Sequence, residues 1–278
     1  MASRKGPTSF EEVWHAHGVL AIIFEAGFVA GTVTGTMPDE TGQDDVPEIA
    51  VRIPGTWSCP ASLEKSLPKG FELSAGWLQL PGGDRLRVFV HPPDDDFADI
   101  FTAACRGAVP DAESSRIRGY GVNLCLAGSG GSIEAAQRMM KGVAAVIRAG
   151  GMGVFIDNSG AGHLGCDWLD LAGDPDDAAT FPAFVASYAN GDNIYSVGMH
   201  VLGLRDAIMP RTGDREADAC VLSSFLLYTI FCGVADGDFI GDDKEPTHRV
   251  WGEDCDFPPP GTPMHNPYGC WRLEVFDG

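Results

Sequence analysis

An α+β fold, with a mixed or antiparallel sheet and helices packed mainly on one side, is what this sequence predicts. Three features lead there. Short runs rich in Val, Ile and Phe alternate with a few amphipathic stretches of helical length, and neither kind dominates. Gly occurs 36 times and Pro 19 times, so turns are frequent and the elements between them short. One strand–helix–strand unit stands out in the middle of the chain. The order of elements also accommodates two ferredoxin-like halves.

Residues 18–26 and 47–53 read as strands. The acidic, Gly- and Pro-bearing loop 37–46 between them divides an N-terminal strand region, 1–36, from a main domain, 47–278, although a single domain fits as well. Residues 71–80 and 86–91 form a hairpin around Pro81-Gly-Gly-Asp84. Asp94, Asp95 and Asp96 lead into a helix near 96–107 that places Phe97, Ile100, Phe101 and Ala104 on one face. Carboxylates there complement the helix dipole, so they need no ligand to explain them.

The central unit begins with a strand, Gly119 to Ala127, and the turn Gly128-Ser-Gly-Gly131. Ser132 caps a helix that runs to about Ala149, where Gly150 and Gly151 stop it. Gly153 to Asp157 is the second strand. Helices follow at 165–171 and 178–189, then an apolar strand at 194–204. The longest helix spans about 214–234, with Asp214, Glu216 and Asp218 in its first turn. Strands at 247–252 and 270–276 close the chain around the Pro-rich loop Phe257 to Pro267.

The 39 acidic residues outnumber the 19 basic ones, for a formal charge of −20. Binding nucleic acid or an anionic lipid surface requires neutralising Lys and Arg, so neither partner suits this chain. The apolar run Val19 to Phe24 is too short for a signal sequence. The uncharged stretch Ala219 to Ala235 falls short of the roughly 20 residues of a membrane span. Eight cysteines are scattered without any C-x-x-C pair, several of them among apolar neighbours. A reducing cytoplasm is the compartment expected, with a Cys255–Cys270 bridge as the one pairing to check.

Several segments carry residues capable of chemistry. Gly128-Ser-Gly-Gly131-Ser132 sits where phosphate loops sit, but it lacks the Lys of one motif and the third Gly of another, so a tight turn is expected. Asp157-Asn-Ser-Gly-Ala-Gly-His163-Leu-Gly-Cys166-Asp167 lies at the end of a strand. His163, Cys166 and Asp167, joined by His200, can supply zinc ligands or a Cys–His nucleophile pair. The same residues can instead satisfy backbone groups in a sharp bend. His200 stands in an apolar run that ends in Arg205 and Asp206, a candidate ion pair. Asp236-Gly-Asp-Phe-Ile-Gly-Asp242-Asp243 has part of a calcium-loop pattern but fails at Ile240 and Thr247, which makes it an acidic turn. His248, Glu253, Asp254, Cys255, Asp256 and His265, with Trp251 and Trp271, can line a binding surface or cover a sheet edge.

The pattern Gly198-Met-His200-x-x-Gly203-Leu-Arg-Asp206, preceded by Ala149-Gly-Gly-x-Gly-Val154, resembles an uncharacterised bacterial family, domain of unknown function 4261, over about residues 118–210. The resemblance implies an α+β bacterial cytoplasmic protein. The family has no established reaction, so it assigns no catalytic residue.

Excess carboxylate without a catalytic motif points to an acidic soluble binding protein that engages a basic protein; an immunity-type toxin inhibitor fits that description. The docking carboxylates are expected to include Asp94, Asp95, Asp236, Asp238, Asp242 and Asp243, with no cofactor. The alternative is a metal-dependent or Cys–His hydrolase centred on His163, Cys166, Asp167 and His200, with zinc held by His163, Cys166 and His200.

Overall fold

The computed structural model describes residues 46–105, 107–173, 176–242, 245–254 and 258–276. The strand expected at 18–26, loop 37–46 apart from Val46, Asp243, Cys255 and Asp256 lie outside them.

Alternation builds the first sheet. In β1, Glu48–Gly55, the side chains of Ile49, Val51 and Ile53 are wholly buried on one face, while Ala50, Arg52 and Pro54 turn to the other. Along its whole length β1 pairs antiparallel with β5, Val122–Ser129, and on its other side with β6, Gly153–Ile156. With β2 (Glu72–Ser74), β3 (Trp77–Gln79), β4 (Arg85–His91) and β7 (Ala161–Leu164) the order is β2-β3-β4-β5-β1-β6-β7. Every pairing described in this sheet is antiparallel.

The second sheet contains β8 (Ala186–Asn190), β9 (Asn193–Val197), β10 (Asp206–Pro210), β11 (Phe239–Asp242), β12 (Glu245–Glu253) and β13 (Cys270–Val275). Its order is β11-β12-β13-β10-β9-β8, with β10 and β13 parallel and the remaining described pairs antiparallel.

Helices join the inner faces of the two sheets. Ser132 Oγ accepts from Ala135 N–H and starts α4, Ile133–Arg148. Asp214 caps α7, Arg215–Phe231, through Glu216 and Ala217 N–H. Between these lie α5, Gly165–Leu171, and α6, Asp177–Phe184. One apolar cluster takes in Ile49 and Leu126 of the first sheet, Met139 of α4, Phe184 of α6, Leu222 of α7, and Met209 and Val250 of the second sheet. Each such side chain contributes roughly 1.5–3 kcal/mol through burial, so the two sheets share one core. Of the remaining helices, α1 is Pro60–Ser66, while α2, Phe97–Ala104, and α3, Asp111–Arg118, cover the outer face of the first sheet through Phe97, Phe101, Ile117 and Phe155.

Several boundaries differ from expectation. Residues 71–80 are two strands, because the chain reverses at Ala75 and Gly76, both at positive φ. The strand–helix–strand unit is split: β5 and β6 flank β1 and do not pair with each other. The helix expected over 178–189 ends at Phe184, and β8 follows. The strand expected over 194–204 ends at Val197, because Gly198 at φ 117° turns the chain into a 3₁₀ helix, Met199–Leu202. The expected acidic turn over 236–243 becomes β11 from Phe239 onward.

Candidate functional site

The glycine-rich segments form a seam between the sheets. Beside it, on the outer face of the first sheet, Arg52 Nε donates to Asp157 Oδ2 at 3.1 Å and lies 2.9 Å from Oδ1, with both side chains nearly excluded from solvent. Burial pushes the Asp157 carboxyl upward, and the charge and hydrogen bond of Arg52 oppose that shift. Asn158 bridges three segments: its Oδ1 accepts from Ala50 N–H at 2.9 Å, and its Nδ2 donates to Glu48 O at 2.8 Å and Pro263 O at 3.1 Å. His200 Nε2 also lies 3.1 Å from Pro263 O, and burial lowers this imidazole to about 4, so it is neutral. The turn expected at Gly128–Gly131 is present, and it docks by backbone: Gly131 N–H donates to Val201 O at 3.0 Å. Gly203, at φ 79°, comes so close that a Cβ there would sit 2.4 Å from Gly131 O.

Of the four residues of the hydrolase alternative, His163 and Asp167 line one open pocket of about 680 Å³, and His200 is not among its lining residues. His163 Nε2 lies 3.0 Å from Ala183 O, and its ring packs edge-on against Trp168, whereas His200 is tied to the Pro263 loop. The Cys166 thiol is exposed, donates to Asp167 Oδ1 at 3.3 Å, and is raised by partial burial and by Asp167, the reverse of an activated thiolate. Among the described residues, no group of three or more His, Cys, Asp or Glu is arranged to hold a metal ion.

The expected docking carboxylates occupy two places. Asp94 and Asp95 follow β4 of the first sheet, and Asp94 Oδ1 accepts from Asp96 N–H on the approach to α2. Asp236 and Asp238 precede β11 and brace it, accepting from Gly252 N–H at 2.6 Å and Ala235 N–H at 2.8 Å. Asp242 ends β11, the edge strand of the second sheet.

That second sheet carries the more distinctive surface. In β12, His248 and Val250 point into the core, so Arg249, Trp251 and Glu253 point outward. In β13, Leu273 is fully buried while Arg272 and Glu274 face out. Register then sets rows across the sheet: Trp251, Arg272, Ile208 and Tyr195 in one, and Glu253, Cys270 and Asp206 in the next. Trp251 Nε1 donates to Glu274 at 3.1 Å, and Arg249 lies over the Trp251 ring at 4.3 Å. Phe239, 52% exposed, meets Phe276 with ring centroids 4.9 Å apart. Arg272 makes two hydrogen bonds to Glu253, at 2.8 and 2.6 Å.

A cleft of about 290 Å³ opens on this face beneath loop 258–266, lined among others by Tyr195, Ser196, Asp206, Glu253, Asp254 and Asn266. Its base is Asp206, 5% exposed. That carboxylate accepts from Ser196 Oγ at 2.9 Å, Met199 N–H at 3.2 Å and Asn266 Nδ2 at 2.7 Å. Burial raises it to about 6, and these neutral donors hold it from rising further. The expected Arg205–Asp206 ion pair is replaced by stacking of Arg205 over Trp271 at 4.7 Å. Adjacent residues entering a strand point to opposite faces, which separates the two groups. Cys270 donates to Glu253 Oε1 at 3.5 Å. A larger groove of about 600 Å³ lies between α1 and the β2–β4 edge, walled mainly by Trp57, Leu63, Leu73, Val88, Val90 and Leu124, but it gathers little polar chemistry.

Sequence reasoning marked Glu253, Asp254 and Trp251 as surface candidates but missed Asp206 as a cleft base, and Arg272, Glu274 and Asn266 with it. The alternating string Cys270-Trp-Arg-Leu-Glu274 was the signal for the outward set. Nothing local marks Asp206 or Asn266, which meet across 60 residues of chain. No helix of the described residues is long and apolar enough to cross a membrane. Comparison with family models, curated proteins and solved structures found no match for this chain.

Proposed function

We propose that this chain is an acidic binding protein for a basic protein partner, taken up on the outward face of the second sheet. One observation carries the reading: Phe239, Phe276 and Trp251 are aromatic anchors on a face that also presents Glu253, Asp254 and Glu274. Aromatic side chains supply much of the energy of protein interfaces, and carboxylates around them select a partner of opposite charge. The net charge of −20 speeds encounter with such a partner and opposes nucleic acid. The exposed thiols of Cys59, Cys166, Cys220 and Cys232 suit a reducing cytoplasm. An inhibitor that neutralises a basic toxin is the specific form this reading favours.

The test is affinity capture with the wild-type chain and with Phe239→Ala and Glu274→Lys, followed by titration of the purified captured protein. A basic protein should bind the wild type about tenfold more weakly when salt rises from about 0.05 M to about 0.3 M. Both variants should weaken it further. Binding that ignores salt, or ignores both substitutions, overturns the proposal.

A further inference from the structure

The cleft at Asp206 has a chemistry of its own. Its lining carries the carboxylates of Asp206, Glu253 and Asp254 and the guanidinium of Arg272. Arg272 is committed to Glu253 through two hydrogen bonds. Asp206 is held by a hydroxyl, backbone N–H groups and an amide, all neutral, and among the described residues it forms no ion pair. A buried carboxylate with dipoles around it but no counter-ion is a pre-formed receptor for a positive charge, because the desolvation has already occurred on folding. The remaining walls suit the rest of such a ligand. Ile208 and Pro258 offer apolar surface for an alkyl stem, Tyr195 offers an aromatic wall, and the amides of Asn190 and Asn193 sit at the rim. A volume of about 290 Å³ is at the small end of ligand cavities, the size of one amino-acid-like group.

We propose that this cleft binds one organic cation, an alkylammonium or guanidinium group on a short aliphatic stem, with Asp206 as its counter-ion. Two sources share that chemistry: a free diamine or agmatine-like molecule, and a Lys or Arg side chain of a protein. The second source rests on the binding reading above; the first does not.

The experiment is an amide-resolved NMR titration of the full chain with cadaverine, with agmatine, with the neutral alcohol 1-pentanol, and with short acetylated peptides containing one Lys or one Arg. Cadaverine or agmatine should give saturable shifts at the Asn266 side-chain amide and around Asp206, while pentanol should not. Asp206→Asn should weaken binding at least tenfold. That substitution also disturbs three hydrogen bonds, so Ile208→Trp, which fills the cleft and leaves Asp206 in place, provides the second variant and should abolish the shifts. Saturation by peptide as well as amine assigns the cleft to a side chain; saturation by amine alone assigns it to a free metabolite. No saturable shift, equal shifts with pentanol, or shifts unchanged in both variants overturns the proposal. Phe239→Ala separates the two readings, since it should leave amine binding intact while weakening the basic protein.

Discussion

The seam between the sheets and the outward face of the second sheet are similarly polar, yet they use that polarity in opposite ways. At the seam, Asn158 and His200 meet main-chain carbonyls and each other, and beside it, on the outer face of the first sheet, the Asp157 carboxylate meets the guanidinium of Arg52. On the outward face, Glu253, Glu274, Arg249 and Arg272 meet one another and exposed aromatic rings, around a cleft whose buried acid forms no ion pair among the described residues. Asn158 and His200, which stand in the segments most suggestive of chemistry in the linear chain, are bonded within the fold. A buried polar group must be matched on folding, and the seam matches its groups within the chain. A group left with capacity for a ligand lies where the sheet face is open.

Breaking the seam should have the largest effects. Asp157→Ala removes the carboxylate facing a buried guanidinium and should cost about 3–5 kcal/mol in chemical denaturation. Asn158→Ala removes hydrogen bonds to Glu48, Ala50 and Pro263 and should cost about 2–4 kcal/mol, leaving groups unmatched in β1 and in the Pro263 loop. If Asn158→Ala unfolded at the wild-type denaturant midpoint, the seam would not be what joins the sheets; if Asp157→Ala did, the Arg52 pair would not hold β1 to the end of β6.

The outward face should respond in the other direction. Phe239→Ala should change stability by about 0.5 kcal/mol or less, since the ring is more than half exposed, while measurably weakening capture of a basic protein. A stability loss comparable to that of Asp157→Ala would make Phe239 part of the core and remove the distinction between the regions.

The smallest effect sharpens the comparison through pH. His200 is lowered from 6.5 to about 4, so the unfolded chain binds more protons between those values and this group lowers stability as pH falls through them. Asp206 is raised from 3.8 to about 6, so the folded chain binds more protons there and this group lowers stability as pH rises. Between about pH 4 and 6 the two slopes oppose, each near 1.4 kcal/mol per pH unit at most. The stability gap between wild type and His200→Gln should therefore shift in favour of the wild type as pH rises across that window. For Asp206→Asn the gap should shift toward the variant. Parallel curves for all three proteins would show that neither group titrates differently on folding.

Much of the architecture was readable along the chain. The helix α5 falls on the residues expected for it, and Ser132 and Asp214 begin α4 and α7 as helix caps do. The antiparallel closing pair is β12 and β13. What local pattern misplaced were the short elements. Residues 186–190, Ala-Ser-Tyr-Ala-Asn, follow the apolar residues of α6 without a Gly or Pro between, so the switch from α6 to β8 has no local mark, and pairing with β9 makes it a strand. The expected docking carboxylates of Asp236 and Asp238 are engaged with backbone because β11 needs bracing at its start, which composition cannot show.

Composition and periodicity alone determined the mixed α+β class, the net negative charge, and the inward and outward faces of the longer strands. These depend on residue type and on spacing along one element. Only the tertiary structure decided that β1 separates β5 from β6, that His163 and His200 serve different segments, and that Asp206 and Asn266 meet at the base of a cleft. Those relations join residues tens of positions apart, through contacts that exist once the core has closed.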